Sequence, residues 1–256
     1  MILLLAALQA ATPSVAAPPV AAPSVAAPSA TSCVALAAED PVAAERRASL
    51  DRSAAGRGCL GLALAGQNRF PAAAAAFEEA ARAAELAQDE AAARYWAQAG
   101  NAWLAGQDAA KARSALDAAL AAGTLTGMER GEAALDRARA LVAIGDSKAA
   151  RADLDMAVKD AADDPLAWLL SATLARRDGD LGRARADIAQ ALRRSADDAQ
   201  VQLEAGNIAA AAGDEAGAKA AWGEAVRLAP DRPAGQSAAR ALAQFGADEQ
   251  KGGEQK

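Results

Sequence analysis

Between residues 131 and 232 the apolar and polar positions of the chain recur at a step of 34. Leu154, Ile188 and Trp222 share one large apolar column, and Ala150, Ala184 and Ala218 share a small one. Ala157, Ala191 and Ala225 form a second small column, and Asp163, Asp197 and Asp231 a polar one. The dipeptides Gly145-Asp146, Gly179-Asp180 and Gly213-Asp214 keep the same step. This period suits a unit of two antiparallel helices that cannot bury its apolar stripe alone, so successive units must stack. Each Gly-Asp pair then marks the turn inside a unit, where the aspartate satisfies free N–H groups and the dipole of the second helix. Pro165 and Pro230 fall at boundaries between units, since neither can continue a helix interior.

Two earlier units follow the same plan with longer steps. Unit starts at 54, 93, 131, 165 and 199 define the segments 54–87, 93–126, 131–164, 165–198 and 199–232. The extra residues lie around Gln88 to Ala92 and Gly123 to Arg130, where Gly123 and Gly127 are natural helix stops and lengthened turns are expected. The second unit carries Trp96, Ala99, Gly100, Trp103, Ala112, Leu116 and Ala119, and the fifth carries Ala205, Gly206, Ala218, Trp222, Ala225 and Pro230. The fourth has Trp168, Ala172, Ala184, Ile188 and Ala191, the third Ala138, Leu141, Ala150, Leu154 and Ala157, and the first Leu60, Gly61, Leu64, Phe70, Ala73, Phe77 and Ala80.

In this register the chain resembles the tetratricopeptide repeat (TPR) family, whose pattern runs W-x2-L-G-x2-Y, then a small residue, a large apolar one, a second small one and a closing proline. The resemblance covers 54–232. Its weakest point is Arg137, which stands where the family prefers leucine. The implied fold is all-α, a right-handed α-solenoid of about five helix-turn-helix units. Terminal helices are expected to cap it: a segment over 33–53, with Asp40 as N-cap before Pro41 and Gly56 as a stop, and a helix over 233–245 with Ala238, Ala239, Leu242 and Phe245 on one stripe.

Composition supports this reading. Of 256 residues, 53% are apolar but only 3% aromatic, and 83 are alanine. Alanine is the strongest helix former, and much of it falls in columns where helices must approach closely. Histidine is absent, which removes Ser-His-Asp and Cys-His nucleophiles, HExxH metal sites and the usual general base near neutral pH. A net charge of −6 argues against nucleic-acid binding, which needs a Lys/Arg field to displace counterions.

The ends carry different information. Met1 to Gln9 is the only strongly hydrophobic run and is far too short to span a bilayer, which takes about 20 residues. With Ser14-Val15-Ala16 as a cleavage site, 1–17 reads as a signal peptide, although no Lys or Arg precedes the apolar run. A disordered cytoplasmic extension is the other reading. Residues 18–32 form a Pro/Ala/Ser-rich linker, and 246–256 a polar tail expected to be disordered. Cys33 and Cys59 are the only cysteines. In an exported chain they would form a disulfide; in a cytosolic one each would be a small buried hydrophobe.

Three motifs invite stronger readings. Gly56, Gly58 and Gly61 spell G-x-G-x-x-G, but no strand precedes them. Asp153 and Asp155, with Asp146, suggest a cation site, yet residues two apart on a helix point away from each other, so a solvated face is expected. Trp96, Trp168 and Trp222 occupy core columns.

The resemblance also implies a concave groove lined by the first helix of each unit. In this register the lining residues are Asn101 and Leu104; Leu135, Arg139 and Val142; Leu169, Thr173, Arg176 and Arg177; then Leu203 and Asn207. Asn101 and Asn207 stand where peptide-binding members hydrogen-bond an extended ligand backbone, and arginines would pair a ligand carboxylate. The lysine-and-asparagine clamp of chaperone-binding members is not reproduced. The expectation is a non-catalytic scaffold for a protein or peptide partner, without cofactor, metal or membrane segment, in the periplasm or secreted. The alternative is an envelope enzyme or small-molecule or carbohydrate binder that uses groove carboxylates and arginines.

Overall fold

Alanine-rich stretches free of interior proline set the helix lengths, and Asp, Ser and Gly set where they begin and end. The computed structural model describes residues 30–253, so the expected signal peptide and most of the linker lie outside it. Thirteen helices form among the described residues. The first two are α1 (Ala30–Glu39) and α2 (Pro41–Ala48). Five hairpins follow: α3 (Ala54–Gly66) with α4 (Phe70–Leu86), α5 (Ala91–Ala105) with α6 (Ala109–Ala121), α7 (Gly127–Ala143) with α8 (Ser147–Asp160), α9 (Pro165–Arg177) with α10 (Leu181–Arg194), and α11 (Ala199–Ala211) with α12 (Glu215–Leu228). The last helix is α13 (Pro233–Gly253), which packs on α12 and α11. Each helix packs on its neighbours in sequence, and the first helices of adjacent units also touch, α5 on α7 and α9 on α11. The result is an all-α repeat solenoid.

The caps follow the sequence. Asp108, Asp146, Asp180 and Asp214 each accept the backbone N–H three residues on, as do Asp40 at α2 and Ser53 at α3. Asp164 and Asp198 accept from two residues on. Gly145, Gly179 and Gly213 take φ of 88°, 82° and 78°, the left-handed region that glycine enters without steric cost. In the first two units Asn68 and Gln107 adopt the same conformation at the same place, with φ of 58° and 63°.

Several sequence expectations are corrected. The extra residues of the early units mainly lengthen helices: α4 and α7 each have 17 residues, against 13 or 14 for most of the others in the array. Gly127 does not stop a helix but opens α7, while Gly123 lies in the preceding loop. Gly56 is not a stop either. It sits in the first turn of α3, where its N–H meets Ser53 Oγ at 3.1 Å and an added Cβ would strike Asp51. At the other end, the helix expected to close at Phe245 runs on to Gly253, so most of the segment expected to be a disordered tail is helical.

Small residues face large ones across each hairpin. At the eighth place of the first helix, Gly61 lies under Phe77, Gly100 under Leu116 and Gly206 under Trp222. The third and fourth units use Ala138 and Ala172 there, both fully buried, with Leu154 and Ile188 in the large column. Cys33 of α1 is joined to Cys59 of α3, with Cα atoms 5.8 Å apart across 26 positions. Closing a loop of that size stabilises the fold by about 3 kcal/mol, mainly by restricting the unfolded chain.

Asp153 departs most from expectation. It is 3% exposed rather than solvated, and it pairs with Arg137, whose Nη2 and Nε donate to it at 2.6 and 2.8 Å. Arg137 also donates to Asp117 at 2.9 Å. The residue that breaks the family pattern is thus compensated by a carboxylate on the facing helix. Asp155 is exposed as expected, and Asp146 is a cap.

Candidate functional site

The first helices of the second, third and fourth units form two adjoining clefts on one face of the array. One cleft, of about 200 Å³, lies between α7 and α9. Its floor is apolar, built from Val142, Leu154, Leu170 and Leu174, and its polar lining is Thr173, Arg139 and Arg177. Leu154 reaches it from α8 because the eighth place above is only Ala138, so the cleft is a by-product of the small-residue column. Arg139 and Arg177 are exposed. Arg139 Nη1 meets Asp136 Oδ1 at 2.8 Å, while Arg177 has no ion-pair partner among the described residues.

The second cleft, of about 280 Å³, lies between α5 and α7 and has the opposite charge. Glu129, Glu132 and Asp136 line it against one arginine, Arg94, with Asn101 and Gln98 beside them. Asn101 Nδ2 donates to Asp136 Oδ2 at 2.9 Å, so Asp136 accepts from both clefts' polar residues. The Arg94–Glu129 contact is loose at 3.7 Å, and Glu132 is unpaired among the described residues.

No protein-family model and no curated protein matches the chain. Solved structures do match it. The crystal structure of YrrB, described as a TPR protein with an unusual peptide-binding site, is 24% identical, covering 79% of this chain and 99% of that one with a TM-score of 0.56. PilF of Pseudomonas aeruginosa is 14% identical over 81% of this chain and 96% of its own, with a TM-score of 0.63. The fold is that of a tetratricopeptide array. MamA from Desulfovibrio magneticus RS-1 repeats the likeness at 17% identity, 70% and 97% coverage and a TM-score of 0.59.

Within this TPR fold the residues expected in the groove divide into three groups. Arg139, Val142, Thr173 and Arg177 come together in the α7–α9 cleft, and Asn101 lies in the α5–α7 cleft. Leu135 and Leu169, by contrast, are 4% and 6% exposed and belong to the core, which removes them from any ligand surface. Leu104 and Leu203 pack half-buried against core clusters. Arg176 and Asn207 are engaged internally. Arg176 Nε donates at 2.6 Å to Glu204, which is 6% exposed, and Asn207 donates to the same carboxylate at 3.2 Å while accepting from Trp222 Nε1 at 3.1 Å. Two cleft residues that the expected lining omits, Arg94 and Glu132, stand at the second place of their units and were legible in the register. Asp136 and Leu170, at the sixth place, were not.

Apart from the residues lining the two clefts, the third and fourth units share a polar network. Arg151 Nη2 donates to Ser171 Oγ at 2.7 Å, and Ser171 donates to Asp187 at 2.5 Å. Arg183 binds Asp187 at 3.1 Å and Asp155 at 2.5 Å, and Asp155 returns to Arg151 at 3.2 Å, closing a ring across the third and fourth units. The hydrogen bond to Asp153 strengthens the hold of Arg137 on its proton, whereas burial, with Arg183 nearby, weakens that of Arg151. Every charge in the ring is matched. Among the described residues no helix is long and apolar enough to cross a membrane.

Proposed function

We propose that this protein is a non-catalytic interaction scaffold that holds a peptide segment of a partner protein on the face formed by α5, α7 and α9. One observation carries the reading: an open cleft with an apolar floor and, at its rim, Arg177, which has no ion-pair partner among the described residues. Apolar floors with a few placed polar groups are the usual chemistry of a ligand pocket. The fold likeness to YrrB, described as having a peptide-binding site, supports it. We further propose that the chain works in an oxidising compartment, the periplasm or outside the cell, which the joined Cys33 and Cys59 support.

A random peptide library selected on the purified full chain tests the groove. Thr173→Trp fills the cleft without touching the hairpin cores, and circular dichroism checks that it remains helical. Selected peptides are expected to bind this variant at least about tenfold more weakly, the loss of one buried side-chain anchor. Equal binding to both proteins moves the site off this face.

A further inference from the structure

We infer that the two clefts act together and select a segment of fixed charge order: a Lys or Arg, then about three positions away a large apolar residue next to an Asp or Glu. This rests on the groove reading above and adds the identity of what fills it.

The charges make the case. Across the α5–α7 cleft three carboxylates face one arginine, whereas the α7–α9 cleft has two arginines and no carboxylate. Of the charges that line the two clefts, the two without an ion pair among the described residues, Glu132 and Arg177, stand one on each side of this division. Exposed charges that pair with nothing in the protein keep their field for a ligand, and complementary fields fix the orientation of what binds. Only one of the two clefts has a floor of large aliphatic side chains, so the apolar residue of the ligand belongs beside Arg139 and Arg177.

Spacing follows from the shared helix. Because α7 borders both clefts, their centres are separated by about one helix-packing distance, about 10 Å. An extended chain advances about 3.3 Å per residue and covers that distance in about three residues. Asp136, which accepts from Asn101 on one side and Arg139 on the other, marks the dividing line and stops either residue from swinging across it.

The test uses fluorescein-labelled ten-residue peptides built around Lys-Ser-Ser-Leu-Glu and its charge-inverted partner Glu-Ser-Ser-Leu-Lys, each in both chain directions. Binding is read by anisotropy at low and physiological salt. The first order is expected to bind the native chain at least about tenfold more tightly in one direction, with the gap narrowing as salt screens the charges. A variant carrying Glu129→Lys, Glu132→Lys, Arg139→Glu and Arg177→Glu, all exposed positions, is expected to reverse the preference. Equal binding of both orders, binding of neither, or an unreversed preference overturns the charge-order inference. The groove reading has its own arm, since peptides selected from the library and lost on Thr173→Trp would keep it standing.

Discussion

The second and third units share one backbone plan but hold their two helices together by different means. In the second, Ala99 and Ala115 occupy the places that Arg137 and Asp153 take in the third, and both alanines are buried in an apolar cluster. Its polar contacts lie at the edge, where Trp103 Nε1 donates to Glu78 at 2.8 Å and Lys111 sits 4.2 Å above the same indole. In the third the ion pair is inside the hairpin. The fourth unit continues that change with Ser171 and Asp187, and the fifth returns to Ala205 and Ala221. A repeat thus tolerates either chemistry at this position provided both helices change together. A buried carboxylate is stable only with its partner, and the pair as a unit is close to neutral against two apolar residues.

That difference can be broken directly. Arg137→Leu restores the family residue but leaves Asp153 buried and unpaired, and is expected to destabilise the chain by about 3 kcal/mol, the cost of stripping one partner from a buried pair. Asp153→Ala should cost less, because Arg137 keeps Asp117 and is the more exposed of the two, with 23% of its side chain accessible against 5% for Asp153. The double change should return to native stability or exceed it. Urea melts of the four proteins give the coupling energy, and additive losses would show that the pair does not act as a unit.

A smaller effect separates the glycine units from the alanine units. An added Cβ at Gly61 would lie 2.6 Å from the Phe77 ring, so Gly61→Ala overpacks the first hairpin. Overpacking costs about 1–3 kcal/mol and alanine regains about 1 in helix propensity, leaving a net loss of about 1 kcal/mol. Adding Phe77→Leu should recover it, since Ala138 above Leu154 is that combination already built. If the double variant melts lower than Gly61→Ala alone, the small and large columns are not compensating each other.

How much was legible beforehand depends on whether a feature repeats along the chain or only across it. The step of 34 located the last three hairpins with their Gly-Asp turns and aspartate caps, because each recurs at one place in those units, and the small and large columns extended the pattern to the first two. Arg137 stood out in the same register as a misfit, but its remedy, Asp153, lies on the facing helix and reads as a solvated acid in one dimension. The groove shows the same limit. Place numbers named Arg139, Thr173 and Arg177, which line the α7–α9 cleft, yet could not tell that Leu135 and Leu169 turn into the core or that Asn207 is held by Glu204 and Trp222. Those outcomes depend on what each side chain meets, and the neighbours belong to other helices.

The smallest expected effect concerns the turns, where the first two units again differ from the last three. Gln107 holds φ at 63° in the place filled by Gly145, Gly179 and Gly213, and its side chain is exposed with no bond that would repay the conformation. The left-handed region costs an L-residue about 1–2 kcal/mol, whereas the extra freedom of glycine in the unfolded chain costs about 0.4–1. Gln107→Gly should therefore stabilise the second unit by about 0.5 kcal/mol. Asn68→Gly should gain less, because asparagine enters this region more readily than glutamine. Hydrogen exchange at the amides of α5 and α6 reads the first change locally. Unchanged or faster exchange there would mean that the turn is not strained by Gln107, and that the early units dispense with glycine at no cost.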